Sequence, residues 1–180
     1  MKVSAISNSI YPQSTFKSLK LSQGLENILL EKVNIYEIKR IFEAGRKLEN
    51  TQYFDLEMFD DMSFRIKEKG NVFSGLLGPI KIYKHSDKQL KITGIYDGVE
   101  DTINKPGDQT SFLLKYDKPE SVEKIYNSIK SLKGILRLAA IAKLLDDYYI
   151  KTKTEPNPFP LSKFGVVKVL MGKYGDLLVK

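Results

Sequence analysis

Three stretches of this chain hold residue types that could do chemistry, and none spaces them as a known reaction requires. His85, the only histidine, lies in "KHSDK" beside Ser86 and Asp87. A Ser-His-Asp relay would need an unrelated serine and acid to converge there, so His85 reads as an exposed imidazole in a polar turn. With one histidine and no cysteine, histidine-rich and thiolate metal sites, iron–sulfur clusters, disulfides and cysteine nucleophiles are all removed. No cofactor and no metal is expected.

The second stretch, "GNVFSGLLGP", carries Gly70, Gly75 and Gly78. No Gly-Lys-Ser/Thr follows to place a lysine and a hydroxyl on a nucleotide, and the dinucleotide-binding spacing is missing. Ser74 stands outside a Gly-x-Ser-x-Gly elbow. A turn or bulge within a sheet is the expectation. The third stretch is the acidic loop "DGVEDTINKPGDQT", with Asp97, Glu100, Asp101 and Asp108 opposed by Lys105 alone. Paired carboxylates could bind a hard cation or exchange protons, but the spacing matches no EF-hand loop. These four acids are the candidate functional loop. Gly98, Pro106 and Gly107 explain it equally as punctuation between strands.

The elements that would position such residues follow from periodicity. "LENILLEK" predicts a short helix ending near Val33. Asn34 then offers a cap, Glu37 stands at the reciprocal position, and a helix is expected over about 35–50 with Ile35, Ile38, Ile41, Phe42, Gly45 and Leu48 on its buried side. From Phe54 the period becomes two: Phe54, Leu56 and Met58, then Phe64 and Ile66 beyond the turn residues Asp60 and Asp61. Further strands are expected at "IKIYK", "QLKITGIY" and "SFLLKY". Short polar links favour antiparallel pairing, because a parallel crossover needs a dozen residues or more.

Pro119 suits a first helical position, and Gly134 separates that helix from the next, expected over 134–150. The latter contains "LKGILRLAAIAKLL", apolar nearly all round, which predicts a helix buried on several sides. Pro156, Pro158 and Pro160 then make 151–161 a stiff spacer. Last comes an amphipathic helix over 162–180, whose face of Phe164, Val167, Leu170, Met171, Tyr174, Leu177 and Leu178 is a candidate docking surface for its own core or a partner. Its three glycines weaken it, so it needs a surface to fold against.

The fold class expected is α+β: an antiparallel four- to five-stranded meander with N-terminal helices, and C-terminal helices packed on one face. Residues 1–21 read as a polar, disordered arm and 22–150 as a single domain. No window is long and apolar enough to span a membrane, and the start lacks a secretory h-region. Absence of cysteine is compatible with a reducing cytoplasm, the expected location.

The net charge of +7 is distributed unevenly. Residues 1–24 hold three lysines and no acid, residues 25–150 hold 20 basic and 20 acidic groups, and residues 151–180 hold six basic and two acidic. The surplus therefore belongs to the ends, although a local patch could hide in the neutral middle. Of 29 basic residues only Arg40, Arg46, Arg65 and Arg137 are arginines. Lysine lacks the planar fork that reads guanine edges, so sequence-specific nucleic-acid recognition is disfavoured. The leading expectation is a non-enzymatic binding or adaptor domain with a protein partner. Attachment of the basic C-terminal helix to anionic membranes is a second reading, and a small enzyme using the 97–110 loop a third.

Overall fold

Alternation from Phe54 onward does build a sheet, and the 3.6 period builds the helices on one side of it. The computed structural model describes residues 17–32, 34–69, 75–98, 100 and 105–154. Its elements are β1 (Leu19–Leu21), α1 (Gln23–Lys32), α2 (Ile35–Lys47), β2 (Phe54–Met58), β3 (Phe64–Glu68), β4 (Gly75–Ser86), β5 (Gln89–Asp97), β6 (Gln109–Lys115), α3 (Pro119–Lys130) and α4 (Gly134–Thr154). The expected α+β class holds, but the sheet is larger than a four- to five-stranded meander. It has six strands in the order β1 to β6 and is mixed, because β1 pairs parallel to β2 while every later pair is antiparallel.

The added strand comes from the end of the stretch read as a polar arm. "LKL" is too short for a period of two to be recognised. It runs parallel because α1 and α2 form the crossover that parallel pairing requires. A second difference lies in β4, which begins at Gly75 rather than Ile80. A register shift between Leu77 and Lys81 absorbs Gly78 and Pro79, the irregularity at which a strand tolerates a proline. Among the described residues no helix is long and apolar enough to cross a membrane.

Cross-strand pairing lays the core out in rows. Leu19, Leu56, Ile66, Leu76 and Tyr96 are paired in succession across β1 to β5, and all are buried. Ile82, Ile92 and Phe112 form a second row. Burying each such side chain is worth about 1.5–3 kcal/mol, so these rows carry much of the drive to fold. Helix α4 lies over β2 between α2 and α3, which explains why it is apolar nearly all round. Ile135, Ala139, Ile141, Ala142 and Leu145 are buried, and Leu136, Leu138, Ala140 and Leu144 pack partly against the same core. Gly134, at φ +57°, makes the sharp entry from α3.

Asn34 caps α2 as expected, its side-chain oxygen accepting from the amides of Tyr36 (3.0 Å) and Glu37 (3.1 Å). The buried face of α2 differs from the expectation. Ile41, Ala44, Gly45 and Leu48 are buried, whereas Ile35 is 63% and Phe42 46% exposed. The small residues Ala44 and Gly45 let α4 approach closely. The contact line therefore runs through them, and at 100° per residue Ile35 and Phe42 fall to its side.

Asp146, fully buried on α4, ties that helix to the sheet. Its carboxylate accepts from the backbone amides of Gln52 (3.0 and 3.1 Å), Tyr53 (2.6 Å) and Phe54 (3.2 Å), where the chain leaves α2 and enters β2. One turn on, Tyr149 packs edge-on against Phe54 at 5.1 Å. Tyr148 Oη accepts from the amide of Lys115 at 3.0 Å, capping part of the β6 edge. The neighbouring Tyr116 hydroxyl is buried, with no hydrogen-bond partner among the described residues. Burial pushes the Tyr116 hydroxyl well above the ordinary tyrosine pKa, with help from Tyr148 and Asp147. Burial, then Glu68, does the same to Tyr149.

Two outcomes are expected from these contacts. Asp146→Ala leaves three amides, that of Phe54 buried, without their shared acceptor and lowers the free energy of unfolding by about 3 kcal/mol in urea titration. Asp147→Ala, which breaks only the exposed Lys143–Asp147 pair (2.6 Å), changes it by about 0.5 kcal/mol or less. For the tyrosines, a raised folded-state pKa stabilises the fold fully below the ordinary value of 10.0. That contribution is lost as pH rises beyond it. Tyr116→Phe should leave stability at neutral pH equal or higher and move the alkaline unfolding transition upward, read by circular dichroism.

Candidate functional site

The sheet face opposite the helices sorts its charges into two regions. In the first, near β1 to β3, every carboxylate is engaged. Asp55, whose side chain is almost fully buried, meets Lys20 at 2.6 Å and Lys69 at 3.3 Å. Lys69 also donates to Ser18 Oγ (2.6 Å) and the carbonyl of Thr51 (2.8 Å). Arg65 on β3 holds two acids together: Nε and Nη2 meet Glu57 Oε2 at 2.6 and 2.5 Å, and Nη1 meets Asp97 Oδ2 at 2.6 Å.

Asp97 sits on β5, two strands from Arg65, so the guanidinium must reach across β4. Gly75 makes that crossing available. A Cβ there would stand 3.1 Å from Arg65 Cδ and 3.2 Å from the carbonyl of Asp97. The guanidinium also lies over the Phe59 ring, 5.3 Å from its centroid. Burial alone would lower the Arg65 pKa, but the hydrogen bonds to Asp97 and Glu57 outweigh it and raise the value.

The second region occupies β4 to β6. Ile82 and Ile92 face the core, so Lys81, Tyr83 and Lys91 point the other way, with Lys81 paired to Thr93 and Tyr83 paired to Lys91. Leu113 stands across from Lys91, and Lys115 lies two residues farther along β6, across from Gln89. Tyr83 is 44% exposed. Among the described residues no carboxylate is within ion-pair distance of Lys67, Lys81 or Lys91. Lys84, on the core side of β4, is instead engaged by Glu123 of α3 at 2.6 Å. That hydrogen bond raises the Lys84 pKa and lowers that of Glu123.

Of the four acids singled out by sequence, the three described ones do not gather into one site. Asp97 ends β5 and is held by Arg65. Glu100 lies 3.8 Å from the Lys105 ammonium, both largely exposed. Asp108 accepts from the Lys105 amide at 3.3 Å, closing its own turn. Asp101 lies outside the described residues, as do the docking face Phe164, Val167, Leu170, Met171, Tyr174, Leu177 and Leu178 and most of the proline spacer. Among the described residues no group of three or more His, Cys, Asp or Glu side chains is placed to hold a metal ion. His85 is exposed at the end of β4.

The Arg65 bridge and the lysine region were not visible as motifs. Their one sequence trace is the alternation "IKIYK", which sends Lys81 and Tyr83 to the same face. Comparison with known protein families, with curated proteins and with solved structures returned no match.

The bridge generates a coupled prediction. Arg65→Met leaves Glu57 and Asp97 without their shared cation and costs about 2 kcal/mol by chemical denaturation. Gly75→Ala, which crowds the Arg65 Cγ and Cδ, destabilises the wild-type background more than an Arg65→Ala background, where those atoms are gone. Equal costs in the two backgrounds would show that the stem and the glycine are uncoupled.

Proposed function

We propose that this protein is a non-enzymatic binding domain that receives an anionic partner on the β4–β6 part of its open sheet face. The observation that carries the reading is charge segregation. Residues 25–150 are balanced overall, yet on this face the acids are drawn into pairs with Lys20, Arg65 and Lys69. Lys81 and Lys91 are left without counter-charges among the described residues. Unneutralised lysines on a rigid sheet raise the local potential and attract anions without the framework having to move. Asp97, Glu100 and Asp108, the described carboxylates of the third sequence reading, are each engaged in a separate contact, which favours binding over acid–base chemistry.

Retention of the full chain on immobilised heparin tests this. Lys81→Ala/Lys91→Ala/Lys115→Ala should elute at clearly lower salt than Lys39→Ala/Lys47→Ala/Lys124→Ala, which removes the same charge from the helices. Equal elution of the two variants would mean that retention follows net charge and the basic ends, and the reading would fall.

A further inference from the structure

Resting on that reading, we propose that the partner is single-stranded nucleic acid, its phosphates following a lysine diagonal while a base stacks on Tyr83. Lys81 on β4, Lys91 on β5 and Lys115 on β6 occupy successive diagonal positions, each one strand across and two residues along from the last. Strand spacing of about 4.8 Å and a two-residue step of about 6.7 Å place adjacent members about 8 Å apart at the backbone. The three run in one straight line across the sheet.

Tyr83 stands beside that line, two residues from Lys81 and directly across from Lys91, with nearly half of its surface in solvent. A flat exposed ring flanked by cations on an open antiparallel sheet supplies the two ingredients of sequence-tolerant single-strand binding, a cationic track and a stacking platform. An acidic peptide would use the lysines but has no specific need of the ring. A lipid surface would favour projecting apolar side chains, whereas Leu113, the apolar neighbour on this face, is half-buried.

Lysine, rather than arginine, on this track means point charges that follow phosphates without reading base edges. The inference is therefore of binding without sequence preference, which agrees with the scarcity of arginine in the chain.

Fluorescence anisotropy of the full chain with a labelled oligothymidylate, across a salt series, decides the matter. Tyr83→Ala should weaken binding about tenfold or more, and Tyr83→Phe should restore most of it. Lys81→Ala and Lys91→Ala should each reduce the slope of log K against log salt by about 0.7. Tyr83 is exposed, so an unchanged thermal midpoint for the variants separates lost binding from lost fold. The inference is overturned by an oligonucleotide affinity insensitive to Tyr83→Ala, by polyglutamate or phosphatidylglycerol vesicles competing equally at equal charge, or by no binding at low salt. Should heparin distinguish the two lysine triples while the oligonucleotide fails, the anionic-partner reading stands and the nucleic-acid inference falls. If heparin does not distinguish them, both fall.

Discussion

A single buried carboxylate fixes how the helical layer sits on the sheet. Asp146 gathers three consecutive amides where the chain passes from α2 into β2, and charged hydrogen bonds of this kind are about twice as strong as neutral ones. Burying such amides unsatisfied would be costly. Because the acid resides on α4 and the amides on the α2–β2 connection, one interaction sets the position of α4 over β2 and the point at which β2 begins. The start of β2 in turn determines which of its residues face the core. A strand displaced by one residue would turn Leu56 outward and Asp55 inward.

With that register set, charge on the far side of the sheet is no longer free to mix. Asp55 and Glu57 must both emerge beside β1 and β3, where Lys20, Lys69 and Arg65 meet them. Asp97, opposite Gly75 at the far end of β5 from Lys91, is taken by Arg65, which reaches over Gly75. A guanidinium can satisfy two carboxylates at once through its separate N–H groups, which an ammonium does less well. Lys81 and Lys91, farther along the same strands, have no carboxylate within ion-pair distance among the described residues.

The edge of the sheet is managed in a similar way. An unpaired edge strand can template association with another chain. On β6 the outward amide of Lys115 is taken by the Tyr148 hydroxyl, so the helix that anchors β2 also blunts the opposite edge. Tyr116 and Tyr148 lie with ring centroids 6.0 Å apart beneath it, closing the core where α4 crosses the end of β6.

Much of this architecture was legible from local pattern. The alternation of Phe54, Leu56 and Met58, the Asn34 cap, Pro119 at a helix start and the all-round apolar character of Ile135 to Leu145 each reflect a short-range rule of backbone geometry or burial. Those rules operate within a few residues, so the chain itself determined the α+β class, most strands, the helices and the burial of α4. What it left undetermined needed contacts between distant residues. Leu19–Leu21 becomes a strand only because β2 lies beside it, Ile35 and Phe42 stay exposed because Ala44 and Gly45 admit α4, and Asp146 finds its amides more than ninety residues away. The charge of a segment is a sum over its residues, whereas the field at a surface depends on which of them are neighbours. Tertiary structure alone therefore decided that a neutral stretch would present paired acids on one part of a sheet and, on the other, Lys81 and Lys91 with no acid in reach among the described residues.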